Sequence, residues 1–367
     1  MAFPATSSPA SASFSEDTSW LPAVARGRGF IASGLYDAVF FILAPVLALA
    51  LVEIVARWPW ASELRFAGGV VESRAVFFVL VWSHAHACAV FFRSHGNRAI
   101  FVQHRFAFVG MPLLLFVGLM GSDWVMACAL VLAPFWATYH IGMQNFGLCR
   151  IYDVRWGNPP EMGRTLDYWL HQLINVAPFL VGWSLLPSLQ SLRVFDRVGW
   201  EAPSRWLEAH QSVEGALSGA FLIAGPLYLA FYVHAYWRLT HQGYRLCPQK
   251  IALLVSTAAA SVVAWGFLTP WKALFVMNFF HGLQYFALVW WTERRNLGRV
   301  TRLERVPLGT PVLLVAFAAT TLLVGTVFQT YGRNYTLLRW AAAVGLVISL
   351  MHYWYDGFVW SVRRREV

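Results

Sequence analysis

Charged residues are scarce in this 367-residue chain: Asp, Glu, Lys and Arg make up 13% of it, about half the share usual in soluble domains. With 58% hydrophobic residues, so little polar surface excludes an ordinary soluble globule. Cysteine is equally sparse. Cys88, Cys128, Cys149 and Cys247 show no CxxC spacing, which supports neither a disulfide framework nor a thiolate zinc site. The start of the chain lacks a basic segment followed by an apolar one, so no cleavable signal peptide is expected. Residues 1–29, rich in Ala, Ser and Pro, read as a disordered cytoplasmic tail. The formal charge of +10 does not imply a nucleic-acid partner, because its 28 basic residues form short clusters between apolar runs rather than a stripe on one face.

What the chain has instead is long apolar runs. Ten are sufficient to cross a bilayer as helices, near residues 30–56, 72–92, 105–121, 124–148, 166–187, 215–237, 251–270, 272–292, 310–330 and 335–360. The expected fold is all-α: a polytopic bundle of about ten transmembrane helices forming one domain over residues 30–362. An outer interfacial loop is expected at 188–214 and a short basic cytoplasmic tail at 363–367. Sorting every Lys and Arg onto alternate sides places 19 on one side and 9 on the other, which puts both termini in the cytoplasm. The expected location is a multi-pass position in a bacterial inner membrane, with membrane lipids as neighbours.

With this topology the even-numbered runs all descend towards the cytoplasm, and four carry a histidine at similar depth. His84 lies nine residues before Arg93, His140 ten before Arg150, His281 thirteen before Arg294 and His352 eleven before Arg363, or roughly 13 to 20 Å from the cytoplasmic ends. Polar partners sit one turn away on the same faces. They are Gln144 beside His140, Asn278 and Gln284 beside His281, and Asp356 beside His352. Asp167, His171 and Asn175 form a further stripe on the fifth run, and Asp37 on the first reaches the same layer. Runs 1, 2, 4, 5, 8 and 10 are therefore expected to ring a polar site, with runs 3, 7 and 9 facing lipid.

Ionisable groups inside a span are costly and mark a functional site by default. Imidazole with carboxylate oxygen suits iron, copper or zinc, and without paired thiolates an iron–sulfur cluster is not expected. The expected metal ligands are His84, His140, His281, His352 and Asp356. His86, Gln144, Asn278, Gln284 and His171 are placed behind them as orienting groups. Asp37, Asp356 and Tyr285 are candidate proton-handling or catalytic groups.

The leading expectation is a non-haem iron oxidoreductase or oxygenase acting on a lipophilic small molecule, with a redox partner as electron donor. A haem-binding electron-transfer or quinone-handling protein is the first alternative, and a proton- or metal-coupled transporter the second. The HxxxH and HxxHH spacings of membrane desaturases and hydroxylases are absent, and no family is assigned.

Overall fold

The computed structural model describes residues 29–67, 70–182, 189–210, 213–331 and 339–360. The expected N-terminal tail, apart from Gly29, and the basic tail at 363–367 lie outside the described residues.

Helices dominate. They are α1 (Gly34–Ile42), α2 (Ala44–Ala56), α3 (Arg74–Ser94), α4 (Arg98–Gln103), α5 (Arg105–Gly121), α6 (Asp123–Arg155), α7 (Arg164–Val181), α8 (Ala202–Ala209), α9 (Val213–His241), α10 (Pro248–Phe267), α11 (Pro270–Thr301), α12 (Gly309–Tyr331) and α13 (Arg339–Val359). Six of them, α3, α6, α9, α10, α11 and α12, are long and apolar enough to cross a membrane, and the bent pair α1–α2 makes a seventh. The chain is thus an all-α, multi-pass membrane bundle. The expected count of ten exceeds this because α5 has only 17 residues, while α7 and α13 interrupt their apolar faces with buried Asp167, His171, Asn175 and His352. One element was not expected: strands β1 (Leu64–Ala67) and β2 (Val70–Ser73) pair antiparallel in a short hairpin.

The first span breaks where proline demands it. Pro45 opens α2 and has no N–H to give to the carbonyl of Phe41 four residues earlier. The chain turns by 59° between α1 and α2. Gln284 Nε2 donates to the Phe41 carbonyl at 2.9 Å, and Ser256 Oγ donates to that of Ile42. Carbonyls freed inside the bilayer are thereby satisfied by side chains from α11 and α10.

Two apolar cores share α6 and α11. One gathers residues of α3, α5, α6, α11, α12 and α13; the other joins α2, α6, α7, α10 and α11. Within the first, α3 packs on α11, α12 and α13. Its approach to α12 is close enough that a Cβ at Gly325 would strike the backbone of Val81 and Ala85, the small-residue contact by which membrane helices dock without a hydrophobic drive. Gly325→Ala is expected to cost about 1–3 kcal/mol through overpacking, read as a lower melting temperature in detergent; an unchanged melting temperature would refute this contact.

The lipid-facing assignment needs correction. The peripheral helix is α9, which packs chiefly on α7 and leaves Leu222, Ile223, Leu227 and Phe231 exposed. The seventh run, α10, is an inner helix instead: Lys250, Ser256, Thr257 and Ser261 are buried on it, against α2, α6, α7 and α11. Its small polar residues carry no charge and so escape a charge-based reading; Ser256 donates to the Ile42 and Leu253 carbonyls and Thr257 to Asn145 Oδ1. The segment before α9 forms a 3-10 turn (Gln190–Val198) followed by α8. Phe195 and Trp200 pack at a tilt against Trp124 at the start of α6 and edge-on against each other, as suits an interfacial seat.

Candidate metal centre

Four imidazoles from four helices meet inside the bundle: His86 on α3, His140 on α6, His281 on α11 and His352 on α13. Their ring centroids form a closed circuit, His86 to His281 at 4.8 Å, His281 to His140 at 5.0 Å, His140 to His352 at 4.7 Å and His352 to His86 at 5.0 Å. All four are buried. Ligand atoms of His86, His281 and His352 lie within 4.8 Å of one another, as do those of His140, His352 and Asp356.

These rings are poorly satisfied by the protein itself. Both nitrogens of His86, His281 and His352, and Nε2 of His140, have no hydrogen-bond partner. Each buried unsatisfied group costs about 1–3 kcal/mol, and one cation can relieve a single nitrogen in each ring, four of the seven. Gathering them at one point makes sense if a cation takes a nitrogen from each ring.

Asp356 closes one side. Its Oδ2 faces His140 Nε2 at 3.6 Å, while Oδ1 accepts from the Tyr285 hydroxyl at 2.9 Å and from Trp360 Nε1 at 3.0 Å. Tyr285 in turn packs edge-on against His352, with ring centroids 4.7 Å apart. Trp360 lies under the Arg93 guanidinium at 4.1 Å. Arg93 is a buried ion-pair partner of Glu293 and also donates to the Val359 carbonyl. The carboxylate is therefore held by two donors on one oxygen, with the other turned to the histidines.

Other expected site residues take different places. His84 is half-buried, its Nδ1 donating to the Leu80 carbonyl at 2.7 Å, and it does not join the circuit; His86, two positions on, does. Asp37 is an anchor for the first span: its carboxylate accepts from the backbone N–H groups of Ile31, Ala32 and Ser33 and from Tyr152 Oη. Gln144 and Gln284 do not orient imidazole nitrogens. Gln144 Nε2 donates to the His281 carbonyl and to Gln284 Oε1, and Gln284 serves the broken first span. Asn278 accepts from Ser83 Oγ and donates to the Leu274 carbonyl, tying α3 to α11 away from the rings.

His171 belongs to a second polar centre. Its Nδ1 donates to the Asp167 carbonyl. Asp167 and Asp153 share two buried cations, since Arg150 Nη1 and Lys250 Nζ each contact both carboxylates. Tyr232 and Tyr236 donate to Asp167, and Tyr244 to Asp153. Arg150 and Lys250 read from sequence as topogenic charges at helix ends; the signal that would have separated them is Asp153, three residues after Arg150 on the same helical face.

A cavity of about 370 Å³ opens beside the imidazoles. His140, Tyr285 and Asp356 border one end, and Pro160, Arg150 and Arg164 the other, with Trp136, Met143, Phe146, Leu288 and Tyr353 in its walls. Comparison with family models, curated proteins and solved structures returns no match.

Proposed function

We propose that the chain is a membrane-embedded oxidoreductase in which His86, His140, His281 and His352 hold one non-haem iron ion and a lipophilic substrate is oxidised from the adjoining cavity. The observation that carries this reading is the closed circuit of buried imidazoles with seven unpartnered nitrogens. A ring of nitrogen donors with one carboxylate suits iron better than the thiolate-loving metals. When bound, the ion would supply dioxygen activation. The protein's part is to fix the donors, exclude water and present Asp356 beside His140, with Tyr285 as the hydroxyl on its other oxygen.

Edge-to-face packing of the rings at 4.7–5.0 Å leaves no flat slot for a porphyrin between neighbouring rings of the circuit, which favours a bare ion over haem. Ten spans, with the short α5 and the polar-interrupted α7 and α13 crossing as well, accord with the charge bias and with both termini in the cytoplasm of a bacterial inner membrane. A separate redox partner on that side would deliver electrons.

Metal analysis of detergent-purified protein is the test. The expected result is one iron per chain without a Soret band, lost in His86→Ala and retained in His84→Ala. Absence of metal, or equal retention in both variants, overturns the assignment.

A further inference from the structure

We infer that the cavity beside His140 takes an elongated amphiphile with an anionic head, held head-first by Arg150 and Arg164 with its apolar body directed towards the imidazoles. This rests on the reading above and adds the class of substrate.

The two ends of the cavity differ in chemistry. At one end stand His140 and Asp356; at the other are Arg150 and Arg164, and both Arg150 and His140 belong to α6. Ten residues of helix separate them, about 15 Å along the axis, so one molecule bridging the ends must be long. The wall between is apolar and aromatic, formed by Met143, Phe146, Leu288 and Trp354 among others. Such a wall accepts a hydrocarbon body, with Gln144, Tyr139 and Tyr353 among the polar groups of its lining.

The head is specified by what Arg150 has left to give. Its Nη1 contacts Asp153 and Asp167, and its Nη2 donates to the carbonyls of Pro160 and Met162. Its Nε remains buried without a partner. The side chain is 4% exposed, so this N–H cannot turn to bulk water. Arg164 stands at the same end, half-buried, with its guanidinium 5.5 Å above the Phe146 ring. Because Arg150 and Lys250 are offset by Asp153 and Asp167, Arg164 supplies additional positive charge. A carboxylate or phosphate head matches an end lined by two guanidinium groups, one of them with a free Nε–H, better than a neutral head does.

The experiment places the full-length protein in phosphatidylcholine nanodiscs and titrates a dibrominated stearic acid against its methyl ester. Trp136, Trp354 and Trp360 line the cavity, so a bound bromine quenches their fluorescence. Saturable quenching by the acid is expected, with the ester roughly tenfold weaker, as one charge-assisted hydrogen bond implies. Arg164→Gln should weaken the acid and leave the ester unchanged. The matching brominated lysophosphatidic acid, run in parallel, distinguishes a phosphate from a carboxylate head, and preference for either over the ester is the supporting result. Equal affinity of acid and ester in the wild type, an equal loss of both in the variant, or no saturable quenching overturns the inference. Iron measured on the same samples separates this outcome from the metal assignment: normal iron with no preference for an acid removes only the substrate class.

Discussion

His352→Ala is expected to strip the protein of metal, with occupancy falling at least roughly 100-fold in affinity terms, since altering even the partners of metal ligands costs 10–100-fold. The reason is position. His352 is common to both groups of ligand atoms, touches His86 and His140 edge-on and carries Tyr285 against its ring. A chelator should consequently lower the melting temperature of the wild-type protein, because its removal of the ion restores the unpartnered nitrogens to the folded state. It should leave that of His352→Ala unchanged. Stoichiometric iron in the alanine variant, measured by elemental analysis, is the result that sinks the centre.

The largest structural loss is expected from Asp167→Asn. Four donors converge on this carboxylate: Arg150, Lys250, Tyr232 and Tyr236. They come from α6, α10 and α9, so one side chain on α7 ties three other helices at the end of the bundle that carries the Arg150 and Lys250 cations. Removing its charge leaves those two cations with one carboxylate in a site closed to water. Breaking a buried pair from one side costs about 3–5 kcal/mol. The double variant Asp167→Asn with Lys250→Met keeps the cluster neutral and should recover part of that loss. The check is thermal unfolding and monodispersity in detergent; a double variant as unstable as the single one would show that charge balance is not what the cluster provides.

How far the sequence could be read depends on which physical signal each feature leaves. Apolar runs are explicit, and every one of the ten expected positions is occupied by helix. Depth is explicit too, because a histidine's distance from a basic helix end converts directly into ångströms. Rotation about the helix axis is not. In a soluble helix the polar face points outward and fixes the rotation, but α3 is apolar on nearly all sides, with Ala85, Ala87 and Ala89 interleaving His84 and His86. Both histidines have the same depth, and only packing against α11 and α13 selects His86. Asp356 was legible from its one-turn offset after His352.

Asp37 misleads for the opposite reason. A lone carboxylate in an apolar run looks functional, yet three backbone N–H groups at the start of α1 and one phenol satisfy it, and such local backbone pairing has no signature beyond the serine that precedes the helix. Arg150 and Lys250 were masked by a rule that is right on average. Charges at the ends of spans usually set topology, and only the meeting of α6, α7 and α10 turns these two inward.

Trp360 touches both the buried Arg93–Glu293 ion pair and the carboxylate of the histidine site. Its face rests on the guanidinium of a buried ion pair joining α3 to α11, and its edge holds the carboxylate beside His140. One indole thus works as a strut between the clamp at the helix ends and the imidazole ring inside the bilayer. The position of Asp356 beside His140 is thereby tied, through one side chain, to the ion pair that clamps α3 to α11.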